Sequence, residues 1–297
     1  MRQPGQAASI VRRSLFDSQP FRIDSLAVDP ASDACGDIER QDMNVMVLPF
    51  AGVFAKHEAP GRHVVGTPSH AVFIAADAPY RIAFPGSIGD RAITLRFDRA
   101  LVPEALDRRA GERLGSQGLL SAEAMMRRDH LRRRASDPCA ERFEIETLGI
   151  DLLDLCLAAL RGVPTSQPAT HLRRSRAVER VKEAVAVAPA RGWTIANLAK
   201  IANLSAFHLC HVFRELTGVS IYDYVLRERL AQALEAVLDG DDITTIALEA
   251  GFASHSHFTA RFKRFFGATP SALRQSIGVE QATELRKIMT ARTRAQA

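Results

Sequence analysis

The chain has few cysteines, a single tryptophan and no long apolar run. Its four cysteines, Cys35, Cys139, Cys156 and Cys210, lie far apart and form no CxxC pair, so neither a disulfide framework nor a structural zinc site is expected. No segment approaches the run of about 18 apolar residues that a membrane span needs. The opening stretch MRQPGQAASIVRRSLFDSQP holds no apolar core of signal-peptide length. These absences point to a cytoplasmic protein with reduced thiols and no membrane partner. An HxH pair, which would set two metal ligands side by side on a strand, is missing around His57, Glu58, His63 and His70. No nucleophile lies at recognisable spacing from a base either, so neither a metal, a cofactor nor an enzymatic role is expected.

What is present divides the chain in two. At 297 residues it is long enough for two domains, each with its own core. From residue 171 onward there are 18 Lys and Arg against 12 Asp and Glu, whereas the preceding residues carry 21 against 22. The basic surplus therefore belongs to the C-terminal part and suits a nucleic-acid partner. Between the two parts, RGVPTSQPAT (161–170) combines proline, glycine and hydroxyl residues without an apolar period and reads as a linker.

In the N-terminal part, short Val-, Ile- and Phe-rich runs over 43–50, 63–67, 70–76, 80–84 and 91–97 alternate with Gly, Pro and Asp, the pattern of a small β-sandwich or barrel. Helical texture follows over 103–114, 121–134 and 138–160, the last with Ser136 and Asp137 as caps. That last helix carries two apolar seams. One of them, Ile145, Leu148, Leu152 and Leu155, is expected to face a second copy in a homodimer. The run RRDHLRRR (127–134) reads as a solvated charged face.

The C-terminal part contains one idea twice. Leu198, Ala199, Ala202 and Leu204 recur 48 residues later as Ile246, Ala247, Ala250 and Phe252. Ser205, His208, Leu209, Phe213, Arg214 and Gly218 recur 49 residues later as Ser254, His257, Phe258, Phe262, Lys263 and Gly267. Each copy reads as helix, turn, helix. Ala199 and Ala247 let the two helices approach closely, while Asn203 and Gly251 tolerate the left-handed backbone of a sharp turn. Ser205 and Ser254 stand where a serine caps the second helix. Leu209 with Phe213, and Phe258 with Phe262, face inward. His208, Cys210, His211, Ser256, His257, Ala260 and Arg261 are left nearer the outside, where a helix entering a major groove reaches base edges. Arg214, Lys263 and Arg264, with the two capping serines, are the expected phosphate contacts. The helical stretch between the copies, about 27 Å long at 1.5 Å per residue, can hold both reading helices on one side of a duplex. A leading helix marked by Val178, Val181 and Val185 closes the first copy, with Trp193 as a core anchor. His208, Cys210, His211, His255 and His257 could be imagined around zinc, but neither cluster offers four ligands.

The stretch 175–274, and above all IALEAGFASHSHFTARFKRFFGATPSALR (246–274), resembles the DNA-binding domain of AraC/XylS-type transcription regulators. The preceding 48–97 is similar to the cupin-like sensor domains of that family. The resemblance implies an α+β multidomain protein with four parts. A small cupin-like barrel plus helices would occupy 1–160 as sensor and dimerisation domain. A linker (161–170), an all-α domain of two helix-turn-helix units joined by a long helix (171–280) and a basic tail (281–297) would follow. It further implies a regulator of promoter DNA that recruits RNA polymerase and answers a small-molecule effector, probing bases with Phe207, Cys210 and His211 in one helix and Ser256, His257 and Ala260 in the other. Cys210 and His211 depart from the Gln and Arg frequent there, so the family's preferred DNA sequences do not transfer. Two other readings compete with it: a cupin-type metal-dependent enzyme, and an architectural DNA-binding protein without a sensor.

Overall fold

The computed structural model describes residues 9–19, 21–59, 62–98, 101, 115–160 and 169–275. By internal packing the chain divides into two compact units, residues 1–231 and 232–297. The architecture is sheet-rich in its N-terminal region and helical in its C-terminal region.

In the first unit, β1 (Ser9–Asp17), β2 (Phe21–Asp29), β8 (Asp90–Phe97), β3 (Asn44–Gly52), β6 (His70–Ile74) and β9 (Gln117–Leu119) form one sheet in that order. A second sheet runs β5 (Arg62–Gly66), β4 (Phe54–Ala59), β7 (Arg81–Ala83). Strand alternation explains the layers. Along β8, Asp90, Ala92, Thr94 and Arg96 share one face while Ile93, Leu95 and Phe97 take the other, and neighbouring β3 sets Val45 and Val47 opposite Arg96 and Thr94. Val45, Val47, Phe54, Val72, Ile74 and Tyr80 pack together into a core cluster. The cavity of about 310 Å³ beside it is lined from both sheets. The five expected strands are β3, β5, β6, β7 and β8; β1, β2, β4 and β9 had no clear signal.

The expected helix over 103–114 lies outside the described residues. Helix α1 (Ala122–Ala135) begins where Ser121 Oγ accepts the Ala124 N–H at 3.1 Å. Helix α2 (Arg142–Ala159) starts later than expected, after Glu141, with no side-chain cap. Ser136 instead closes α1, its N–H donating to Arg132 O at 3.2 Å, and Asp137 Oδ1 accepts the Cys139 N–H at 2.9 Å. The local turn after α1 uses both residues, leaving neither to cap α2.

Two further expectations need correction. The dimer seam Ile145, Leu148, Leu152 and Leu155 is not a free stripe: Ile145 and Leu152 are buried within the chain, and Leu148 and Leu155 are half-buried. Helix α2 also buries Leu153, Cys156 and Leu157 and packs on α1, so the expected seam is consumed within the chain. Its Gly149 lies against Phe21, where a Cβ would come 2.4 Å from the ring. The large apolar residues that α2 leaves exposed are Phe143 and Ile150. The charged run 127–134 is not a solvated face either. Arg128 and Asp129 are buried and paired at 2.7 Å, and Arg128 also donates to the carbonyls of Pro49 and Pro68. Burying a guanidinium is costly unless its charge is paired and hydrogen-bonded, and these bonds from its terminal nitrogens tie α1 to β3 at Pro49 and to the β5–β6 turn at Pro68.

Helices α3 (Ala169–Val187), α4 (Ile195–Ala202), α5 (Ala206–Thr217) and the start of α6 (Ile221–Asp239) complete the first unit. Val178, Val181, Val185, Leu198, Leu209, Val212, Phe213 and Tyr224 form their core. Trp193 packs against it half-buried, its indole N–H donating to Ala188 O at 2.9 Å. The second unit comprises the rest of α6, α7 (Ile243–Glu249), α8 (His255–Phe266) and a helical turn over 270–275. Phe252, Phe258, Phe262 and Phe266 stack in sequence through its core at centroid spacings of 5.2, 5.4 and 4.5 Å. Arg274 closes the unit by donating to Val237 O at 3.0 Å and Asp241 O at 2.6 Å. Most of the expected linker (161–168) and the whole basic tail (281–297) lie outside the described residues. No helix of the described residues is long and apolar enough to cross a membrane.

Candidate nucleic-acid interface

The two helix pairs are built by the same local chemistry. Thr194 caps α4 by accepting the Asn197 N–H at 3.2 Å, and Asp242 caps α7 by accepting the Thr245 N–H at 2.8 Å. The bonds from the Thr245 N–H and hydroxyl hold the Asp242 carboxyl below the usual carboxylate range. The turn after α4 puts Asn203 at φ 55°, and the turn after α7 puts Gly251 at φ 77°. Both sit in the left-handed region that Asn and Gly enter at least cost. Ala199 and Ala247 are buried where the paired helices meet. Then Ser205 Oγ accepts the His208 N–H at 3.2 Å and Ser254 Oγ accepts the His257 N–H at 3.1 Å, starting α5 and α8.

Each second helix divides its surface as its apolar spacing dictates. In α5, Leu209, Val212 and Phe213 are buried, while Phe207, His208, Cys210, His211 and Arg214 are exposed. Phe207 is 79% exposed, unusual for a phenylalanine, and its ring stacks on His211 at 5.3 Å. In α8, Phe258, Phe262 and Phe266 are buried, while Ser256, His257, Ala260, Lys263 and Arg264 are exposed. Arg261 is half-buried and its Nε lies 3.4 Å from His257 Nε2, so these two are positioned together. Arg214, Lys263 and Arg264 are exposed and make no ion pair among the described residues. Ser205 and Ser254 stay exposed, and because each uses only an acceptor lone pair in capping, its O–H remains available to donate.

The remaining supports were not singled out from sequence. Arg180 donates to Ile201 O at 3.2 Å and Ala202 O at 2.8 Å, holding the end of α4. Arg174 pairs with Glu215 of α5. Among the described residues no three His, Cys, Asp or Glu gather as metal ligands would.

Residues 198–276 match the protein family HTH_18, a helix-turn-helix domain. Over 86 residues the chain is 34% identical to the probable transcription factor PqrA of Proteus vulgaris, a stretch covering 29% of this chain and 70% of that one. Over 84 residues it is 33% identical to the HTH-type transcriptional regulator ExsA of Pseudomonas aeruginosa, covering 28% of this chain and 30% of that one. The chain thus spans most of PqrA but only about a third of the longer curated relatives. Among solved structures, ToxT from Vibrio cholerae aligns over 85% of this chain and 97% of its own, at 12% identity and a TM-score of 0.35.

Proposed function

Because the chain belongs to the AraC/XylS family of helix-turn-helix transcription regulators and is a DNA-binding regulator of that kind, we propose that it inserts α5 and α8 into successive major grooves of promoter DNA. The observation that carries this reading is that both helices, alone in their pairs, combine a serine-capped N-terminus and a buried aromatic face with exposed cations, Arg214 in α5 and Lys263 and Arg264 in α8, that make no ion pair among the described residues. Phe207, His208, Cys210 and His211 of α5, and Ser256, His257, Ala260 and Arg261 of α8, are the proposed base-edge contacts. Ser205, Arg214, Ser254, Lys263 and Arg264 hold phosphates. The exposed Phe207 ring suits the 5-methyl group of a thymine, and the histidines suit guanine or adenine acceptors.

The rest of the chain belongs to the same proposal. The N-terminal region is a cupin-like sensor whose cavity takes a small-molecule effector, and the protein acts in the cytoplasm as an activator that recruits RNA polymerase. It works as a homodimer, with Phe143 and Ile150 replacing the buried seam on any contact made by α2. Its relatives are named as regulators, which favours a non-enzymatic role. Footprinting of a selected site by the full-length chain tests the core of the proposal: protection of two major-groove segments on one face supports it, and uniform sequence-independent coverage contradicts it.

A further inference from the structure

The cavity in the N-terminal region has no part in the DNA-reading surface. At about 310 Å³ it is in the size range of small-molecule sites, and its walls are mostly apolar, with Val28, Val47, Phe54 and Ile74 among them. Most of its polar groups satisfy one another. The Tyr80 hydroxyl donates to Glu39 Oε2 at 2.9 Å, Gln41 Nε2 lies 2.5 Å from Tyr80 Oη, and Arg96 donates to Gln41 Oε1 at 2.8 Å and to Asp42 Oδ1 at 3.1 Å.

Asp90 is the exception. It lines the cavity, it is only 4% exposed, and its carboxylate has no side-chain partner among the described residues. Neither arginine of the cavity stands beside it. Arg96 shares its strand face but is six residues away, roughly 20 Å along an extended strand. Arg12 pairs in register with Leu26, and the β1 residue level with Asp90 is Ile10, through Val28 of β2. An ionised carboxylate withdrawn from water without a counter-ion is expensive, and here its charge faces a space large enough to admit one.

We propose that this cavity binds a small organic cation with an apolar body, a protonated primary amine whose ammonium group sits on the Asp90 carboxylate. The ammonium supplies the missing donors and the missing charge, while the aliphatic or aromatic body covers Val28, Val47, Phe54 and Ile74. Burial pushes the free carboxyl up to about 7, so the empty cavity carries its full charge only well above that pH. The inference deepens the effector-domain reading and rests on it, since amine binding matters to regulation only if this region is the sensor.

The test uses the full-length chain at pH 8 and three probes that share a six-carbon body: hexylamine, hexanol and hexanoate. Calorimetry is expected to show hexylamine binding at least tenfold more tightly than hexanol, with hexanoate weakest, and a matching rise in melting temperature. Asp90→Asn keeps the shape, removes the charge, and should bring hexylamine down to the level of hexanol. Thr94→Leu, which fills the cavity without touching Asp90, should weaken hexylamine and hexanol together. Equal or tighter binding of hexanoate, or unchanged hexylamine binding by Asp90→Asn, overturns the proposal. Selection of DNA sites by the unchanged full-length chain separates the two readings: intact selection without hexylamine preference removes this inference alone, whereas hexylamine preference without selection removes the regulator reading of the DNA-facing helices.

Discussion

The Thr67 hydroxyl donates to Glu228 Oε1 at 2.9 Å, and neither side chain is exposed to solvent. Ser69 donates to the same oxygen, and His70 Nδ1 lies 2.7 Å from Thr67 Oγ1. The β5–β6 turn is thereby bonded to α6, the helix that leads from the first helix pair to the second. Nearby, the Val65 N–H on the edge strand β5 donates to Glu179 of α3 at 3.0 Å. Burial pushes the Glu228 carboxyl up, opposed by the bonds from Ser69 and Thr67, and burial with the Lys182 and Arg227 charges holds the His70 imidazole well down. Thr67→Val removes one donor from a buried carboxylate and should lower unfolding free energy by about 1–3 kcal/mol. Thr67→Ser, which keeps the hydroxyl, should cost less than half as much in the same urea titration. Equal losses would mean that methyl packing, not the hydrogen bond, holds the turn to the helix.

The two capping serines offer a matched pair. Ser205→Ala and Ser254→Ala each leave an N–H of the following helix without its acceptor, at His208 and His257 respectively. Each should lower stability by about 1 kcal/mol. Because each also deletes a proposed phosphate donor, the loss in DNA affinity should exceed that of Thr194→Ala, which removes a cap from α4 instead. Similar DNA affinity for all three variants would leave Ser205 and Ser254 as caps only.

His211→Ala should weaken binding at one half of the selected site while leaving the salt dependence nearly unchanged, since a base contact releases few counter-ions. Lys263→Ala should do the reverse, weakening all sequences alike and reducing the salt slope by about one unit. Fluorescence anisotropy at several salt concentrations distinguishes the two. An equal loss on every sequence for His211→Ala contradicts base reading by that residue.

Asp90 also predicts a pH dependence of stability. Its carboxyl is raised by burial from an ordinary value of 3.8 to about 7 in the folded chain. The folded state therefore holds more protons than the unfolded state across that window, and the contribution of this group to stability falls as pH rises through it. Asp90→Asn should flatten that fall and be more stable than the parent above pH 7, by an amount on the order of 1–3 kcal/mol. Glu39, Tyr80, Arg12 and Arg96 also face the cavity and are common to both chains, so the difference between the two melting profiles isolates Asp90. Parallel profiles would show that the carboxyl is not raised.

The DNA-facing half was the more legible part of the sequence. Its two copies check each other: the inward Leu209 and Phe258, the caps Ser205 and Ser254, and the left-handed Asn203 and Gly251 each need a particular residue type at a fixed spacing. The sheet region obeys weaker rules. Strand β1 is exposed and charged at Arg12 and Arg13, and β4 carries Lys56 and His57, so neither shows the clean alternation of a half-buried strand. Lys56 is in fact buried, paired with Glu58 at 2.7 Å and bonded to Phe73 O at 2.6 Å. Arg128 and Asp129 misled for the same reason. A charged residue satisfied in the interior looks, one residue at a time, like a charged residue on the surface. In α2 the error ran the other way, because an apolar surplus that signals a partner can equally be consumed by a helix packed on several sides. The cavity left no trace in the sequence, since its lining comes from alternate residues of separate strands whose register only the fold supplies.

The most direct measurement of the central claim is selection of binding sites from random duplex DNA by the full-length chain. Two short sequence blocks about 10 base pairs apart, centre to centre, are predicted. Replacing Ser256, His257 and Ala260 together should relax one block, and replacing Phe207, Cys210 and His211 together should relax the other. No enrichment by the folded chain, or a single block indifferent to the α8 replacements, would contradict reading of DNA by both helices.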